Sequence, residues 1–387
     1  MKKNIPIIIL IILIAASSLY AMNNRKIFLR NKERQEKEIK ISDNIVSESI
    51  FKDYYKKAKD KVNDMTTEEK VGQLFLVRYE KNDTTYLNNF YPGGYILFAK
   101  DFNNHTKEEM KSELDNLQSI SKYPLILGVD EEGGYVTRVS RYPAYRSEKF
   151  LSPRTYYDQG GYDLLEQTET EKANLLKSIG INLNLAPVAD VSTNENDFIY
   201  ERSFKADAEK TSEFITKMVE YANKNKINST LKHFPGYGSN KDTHTGIAID
   251  EREYSSFEEN DYKPFIAGIK AKVPSILVSH NIVKCMDENT PASLSSKVVG
   301  ELRNKLAFTG IIMTDDLAMD AVKEYVDAGN AATMAIKAGN DMIITSDFIS
   351  MKNELLKSVE EGTITEDELN TAVTRVIAWK YYSGILK

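Results

Sequence analysis

The stretch Ser229-Thr230-Leu231-Lys232-His233-Phe234-Pro235-Gly236-Tyr237-Gly238-Ser239-Asn240-Lys241-Asp242-Thr243-His244-Thr245-Gly246 reads as a strand followed by a chemically loaded loop. Ser229 to Phe234 is a short apolar and β-branched run, and Pro235, Gly236 and Gly238 stop any regular element after it. A strand therefore delivers Lys232 and His233 to its carboxyl end. Beyond it Asp242 and His244 stand two residues apart, a spacing that lets a carboxylate orient an imidazole and hold a proton on it. The chain has four histidines, and two of them fall in this stretch. Taken alone, an Asp-x-His pair also suits an ordinary solvated loop.

Working outward, short apolar runs recur at intervals that leave room for a helix between them. Eight are expected as strands: Gln73 to Val77, Gly94 to Phe98, Leu125 to Asp130, Leu183 to Asp190, Ser229 to Phe234, Ser275 to His280, Gly310 to Asp315 and Met342 to Thr345. Nearly continuous apolar strands separated by amphipathic helices imply a parallel sheet, and eight of them fit an α/β (β/α)8 TIM barrel forming one catalytic domain. A doubly wound open sheet is the alternative. The two differ in where polar residues gather, because a barrel collects them at the carboxyl ends of many strands. Asp130 leads into Glu131-Glu132-Gly133-Gly134 and Arg138. Asp190 leads into a long loop with Glu201-Arg202-Ser203-Phe204, and the sixth and seventh runs end in His280 and Asp315-Asp316. Such a mouth suits a ligand whose hydroxyls point in several directions.

Helix signals agree. Met65 to Lys70 and Thr363 to Leu369 carry threonine followed by acids, the pattern of a capped helix start, and the last helix is expected to end near Gly384. Asp53 to Asp60 also reads as helical. The run Ile311 to Met313 ends in Thr314-Asp315-Asp316-Leu317-Ala318-Met319; a carboxylate fixed by a strand and exposed at a barrel mouth is what a nucleophile requires. Helix capping is the plainer role for an isolated Asp-Asp or for Asp130, and surface ion pairing for Arg138 and Arg202.

The net charge of -6 and the lack of a basic block in the globular part argue against nucleic acid as a partner. The single cysteine, Cys285, rules out an internal disulfide framework and leaves no Cys/His cluster for zinc, so no metal and no cofactor is expected. Lys2 and Lys3 precede an apolar stretch from Ile5, which is the layout of an export signal. Residues 1–21 are read as a signal peptide or membrane anchor, 22–50 as a polar tether and 51–387 as the catalytic domain. An extracytoplasmic location follows, secreted or anchored to the outer face of the cytoplasmic membrane, with membrane association through residues 5–21.

Lys232-His233-Phe234-Pro235-Gly236 with Gly238, and Asp242 and His244 in the loop beyond, resembles the K-H-F-P-G-x-G and D-x-H signature of glycoside hydrolase family 3. The match is to its single-domain β-N-acetylglucosaminidase branch. Tyr237 stands where histidine is more usual. The segments around Asp130 to Arg138, Arg202-Ser203-Phe204 and Thr314 to Met319 match further family patterns, with Tyr135 replacing a common arginine, and the resemblance covers about residues 51 to 387. It implies a retaining exo-β-N-acetylglucosaminidase acting on carbohydrate, in particular peptidoglycan fragments. Asp315 would be the nucleophile, with His244 oriented by Asp242 as acid and base. Asp130, Arg138, Arg202, Lys232 and His233 would bind the sugar, and Asp190 would support the mouth without touching it. Many family members add a second α/β domain that supplies the acid; this chain is expected to take it from the barrel itself. A family glucosidase or xylosidase, transfer to phosphate instead of water, and a non-catalytic wall-binding protein are the other readings. His280 is left without a role.

Overall fold

The computed structural model describes residues 49–80, 85–239, 248–326 and 328–387. The chain divides into two units, residues 1–40 and 41–387. The apolar run at residues 5–21 and the tether up to residue 48 lie outside the described residues, among which no helix is long and apolar enough to cross a membrane.

Two helices lead in, α1 (Tyr55–Asn63) and α2 (Thr67–Gln73). Strands and helices then alternate. In chain order they are β1 (Phe75–Arg78), α3 (Thr85–Asn89), β2 (Gly94–Leu97), α4 (Lys107–Ile120), β3 (Ile126–Val129), α5 (Pro153–Ser178, broken at Gly160-Gly161), β4 (Leu183–Asn184) and α6 (Ala208–Lys224). They continue with β5 (Asn228–Phe234), α7 (Tyr262–Lys270), β6 (Ser275–Val278), α8 (Ser296–Gly300), β7 (Ile311–Asp316), α9 (Ala328–Ala338), β8 (Met342–Thr345), α10 (Phe348–Glu360) and α11 (Glu366–Tyr382). Every strand pairs in parallel with its neighbours, and β1 pairs with both β2 and β8, so the sheet closes into an eight-stranded barrel rather than an open sheet.

Local chemistry accounts for the element starts. Thr66 and Thr365 each accept the backbone N–H three residues on, while Glu69 and Glu368 reach back to the capping residue's N–H. These reciprocal bonds satisfy donors that a helix start leaves unpaired. The strands are buried on both faces, as a barrel wrapped by helices requires.

Several boundaries depart from the sequence expectation. Gln73 closes α2 instead of opening β1. Asp130 and His280 follow their strands instead of ending them. The fourth run pairs as a strand only at Leu183–Asn184, although an isolated bridge joins Val188 to Lys232 farther on. Pro187 has no N–H to give the ladder, and the path to Asp190 keeps only scattered backbone bonds, from the Leu185 N–H to the Val129 carbonyl, from the Thr230 N–H to the Ala186 carbonyl and from the Ala189 N–H to the Lys232 carbonyl.

The carboxyl-terminal helix closes the other end. Trp379 donates from Nε1 to Asn228 Oδ1 at 2.9 Å, and Lys380 donates from Nζ to Gln73 Oε1 at 2.7 Å. Asn228 begins β5 and Gln73 precedes β1, strands on opposite sides of the ring, so the end of α11 crosses beneath the barrel.

Candidate active site

At the carboxyl end of β5, Lys232 and His233 are both buried. Lys232 Nζ lies 2.6 Å from Asp130 Oδ1 and 2.7 Å from Glu132 Oε1. Arg202, from the loop after β4, forks onto the same Glu132, with its terminal nitrogen 2.8 Å from Oε1 and its Nε 3.1 Å from Oε2. Burial alone would raise the Glu132 carboxyl, but Arg202 and Lys232 outweigh it and hold the group well below the ordinary carboxylate range. Burial likewise opposes the charge on Lys232, and Asp130 and Glu132 outweigh it and raise its pKa. Glu132 and Lys232 therefore hold each other in the charged form.

His233 is fixed from both sides. A guanidinium nitrogen of Arg202 lies 3.2 Å from its Nε2, and because guanidinium can only donate, Nε2 accepts. The ring proton then sits on Nδ1 and is donated to Asp190 Oδ2 at 2.8 Å. Asp190 also accepts the backbone N–H groups of His233 at 3.1 Å and Tyr237 at 2.7 Å, which ties the start of the following loop to the strand end.

Arg138 lies 3.7 Å from Asp130 and packs over the Phe98 ring at 5.4 Å. Its loop is shaped by Glu131, whose carboxylate accepts from the backbone N–H groups of Arg138 and Val139, both at 2.7 Å. Across the mouth, Asp315 on β7 accepts the N–H of Asp316 at 2.8 Å. Asp316 turns to structural duty: it accepts the N–H groups of Ala318 at 2.9 Å and Ser346 at 3.0 Å, together with the Ser346 hydroxyl. His280 donates from Nε2 to the Asp316 carbonyl at 3.0 Å and accepts the Ser293 hydroxyl at Nδ1 at 2.7 Å.

These side chains surround one cavity of about 370 Å³, lined by Asp130, Glu132, Arg138, Arg202, Lys232 and Asp315, with Phe98 and Met319 among its apolar walls. That volume lies at the small end of ligand pockets, roughly 300–1,000 Å³. A larger cleft of about 910 Å³ opens at the opposite end of the barrel, beside Arg303, Asp341 and Arg375. Both arginines there are bound to Asp341, which also accepts the Ile312 N–H, so that cluster serves to hold the strand starts together. The carboxyl-end cavity is the candidate site.

The structure thus brings Asp130, Arg138, Arg202, Lys232, His233 and Asp315 to one place, with Asp190 directly behind them. Asp242 and His244 lie outside the described residues. Glu131 and Glu132 have no role that the sequence alone predicts. A signal for Glu132 was present in its place two residues after Asp130, on the same loop as Arg138. The supporting position of Ser346 carried no signal.

Comparison with known proteins bears on the family and the fold. The glycosyl hydrolase family 3 N-terminal domain matches residues 66–379. A β-hexosaminidase from Nitrosomonas eutropha is 31% identical over 287 residues, covering 72% of this chain and 81% of that protein. A glycoside hydrolase family 3 β-N-acetylglucosaminidase from a Paenibacillus species superposes with a TM-score of 0.76 at 27% identity, over 83% of this chain. The overlap is 63% of that longer chain, less than two thirds of its length. A β-N-acetylhexosaminidase from Beutenbergia cavernae superposes with a TM-score of 0.73 at 26% identity, over 82% of this chain and 99% of the other. A closed barrel, a charged cavity at its carboxyl end and a family match spanning most of the sequence make this chain a glycoside hydrolase of family 3.

Proposed function

We propose that the protein is a retaining exo-β-N-acetylglucosaminidase that removes terminal β-linked N-acetylglucosamine, with peptidoglycan fragments as its source of substrate. The observation that carries the reading is that Asp315 lines the same cavity as the Asp130, Arg138, Arg202, Glu132 and Lys232 cluster. A strand-held carboxylate faces a site that can grip several hydroxyls. In this reading Asp130 accepts from sugar hydroxyls, and the cations donate to sugar oxygens in the fixed geometry that ion pairing provides. Among the described residues the Nε of Arg138 is buried without a hydrogen-bond partner, which suits it to a sugar oxygen.

A carboxylate oxygen of Asp315 attacks the anomeric carbon, and the glycosidic C–O bond breaks as His244, protonated and oriented by Asp242, gives its proton to the leaving oxygen. The neutral imidazole then takes a proton from water. The resulting oxygen nucleophile attacks the anomeric carbon and releases the Asp315 carboxylate. A neutral base in place of a second carboxylate avoids repulsion across a short gap and suits an acidic leaving fragment. The relatives named β-hexosaminidase and β-N-acetylglucosaminidase support the choice of sugar.

Asp315→Ala is expected to abolish turnover of a chromogenic N-acetylglucosaminide, and near-normal rates would reject the assignment. Trapping with a slow fluorosugar should label the peptide that contains Asp315. Comparing the glucoside with the N-acetylglucosaminide tests the choice of sugar. The same proposal includes export of the chain through the apolar run at residues 5–21, which mass determination of the mature protein checks.

A further inference from the structure

His280 has no place in the mechanism proposed above, yet it is fully buried and bonded at both ring nitrogens. Its position follows from strand register. β6 pairs in parallel with β7, with Ser275 beside Ile311 and Val278 beside Thr314. Farther along both chains the same offset sets His280 level with Asp316, the residue after Asp315. There the imidazole reaches across the strand ends, and Nε2 donates to the Asp316 carbonyl at 3.0 Å. A carbonyl can only accept, so Nε2 carries a proton, and in the neutral ring Nδ1 accepts the Ser293 hydroxyl at 2.7 Å.

Ser293 is itself fixed within the turn Ala292–Leu294. Its N–H donates to the Ser279 carbonyl at 3.0 Å, and its carbonyl accepts the Asn340 amide at 2.8 Å. Ser293 and Asn340 are both buried, so the imidazole is aimed by a chain of bonds shielded from water. On the far side of the contact, Asp316 is held at each of its polar groups. The carbonyl accepts His280 and the Met319 N–H, both at 3.0 Å, and the carboxylate accepts the N–H groups of Ala318 and Ser346. Its own N–H donates to Asp315 Oδ1 at 2.8 Å. The direction of that N–H depends on the other bonds, because N–H and carbonyl flank one α-carbon. Asp315 lines the cavity and His280 stands behind its wall.

We propose that His280 is a positioning residue for the nucleophile: by holding the Asp316 carbonyl it fixes the backbone whose N–H aims the Asp315 carboxylate at the anomeric carbon. The inference rests on the reading of Asp315 as nucleophile. Such bracing matters because attack requires the reacting atoms close and in line, and a displacement of about 1 Å can cost roughly a hundredfold in rate. Sugar binding draws on Asp130, Arg138, Arg202 and Lys232, which are held by ion pairs of their own. Loss of His280 should therefore slow the covalent step and spare affinity.

The test compares the wild type with His280→Ala, His280→Gln and Ser293→Ala, using a fluorosugar that carries fluoride as its leaving group. Fluoride departs as the Asp315 carboxylate bonds to the anomeric carbon and needs little help from an acid, so the trapping rate reports on the nucleophile. At saturation the trapping rate of His280→Ala is expected to fall about tenfold or more, with the fluorosugar's dissociation constant unchanged within about twofold. His280→Gln, whose amide N–H can reach the same carbonyl, should recover most of the rate. Ser293→Ala, which leaves the ring in place without its hydroxyl partner, should show a smaller loss of the same kind and serves if His280→Ala does not fold. On aryl N-acetylglucosaminides the variants should lose kcat/KM alike with a strongly and a weakly acidic phenol, unlike an enzyme impaired in protonation. Trapping at the wild-type rate, a loss of affinity in place of rate, or no recovery with glutamine overturns the proposal. If the label in the wild type falls on a residue other than Asp315, the nucleophile reading fails and the inference with it. A label on Asp315 together with wild-type trapping rates in the variants removes the inference alone.

Discussion

Glu132 joins two cations that come from different parts of the chain, Lys232 on β5 and Arg202 on the loop after β4. Removing its charge leaves both buried without their shared counter-ion. Glu132→Gln is expected to cost about 3–5 kcal/mol of unfolding free energy, as breaking a buried ion pair does, and to weaken substrate binding; denaturant unfolding and KM measure the two effects. The pH dependence follows from the depressed carboxyl. Its contribution is fully present above the ordinary value of 4.5 and is lost only as pH falls through the lower folded value. Acid stability of the wild type below that ordinary value, with Glu132→Gln showing a flatter profile, is the expected result. Asp315 and Asp316 illustrate how adjacent carboxylates part company. Both line the cavity, but Asp316 also bonds the turn after β7 and the loop after β8.

At the scale of elements, the functional loops are tied to strands rather than left to themselves. His280 links the end of β6 to β7 through the Asp316 carbonyl, and Asp190 links the path after β4 to the turn after β5. On the far side α11 carries an expensive group. Lys380 is fully buried with the amide oxygen of Gln73 as its partner, and burial pushes its pKa down from 10.5 to about 7. A lysine whose folded pKa is depressed is bound by fewer protons in the native than in the unfolded state, so stability rises with pH between about 7 and 10.5. Lys380→Met should flatten that rise and, at pH 7, stabilise the fold. Unfolding curves at pH 7 and pH 9 test it, and an unchanged slope would show that the amine keeps its proton in the folded protein.

For the molecule as a whole, the closed ring, its helical jacket, the crossing end of α11 and the cavity are all built from residues after position 48. A chain beginning at Ile41 is therefore expected to unfold at the same temperature and to keep the same kcat/KM as the full chain, since a unit with its own core folds by itself. A lower melting temperature for the shortened chain would mean that residues 1–40 contribute to the core. The barrel was legible because most strand runs are apolar on both faces and polar residues cluster at the run ends. Strand four was legible only in part, since the proline that interrupts its ladder sits inside an otherwise apolar run.

The sequence by itself determined the family and the barrel, through the spacing of its apolar runs and the residues from Lys232 to His244 and from Thr314 to Met319. Only the tertiary structure decided that Glu132 binds Arg202 and Lys232 together and that His233 carries its proton on the side of Asp190. The physical reason is that periodicity and motifs report on neighbours along the chain. Ion pairs and proton placement depend on distances between residues tens of positions apart, which exist only once the ring has closed.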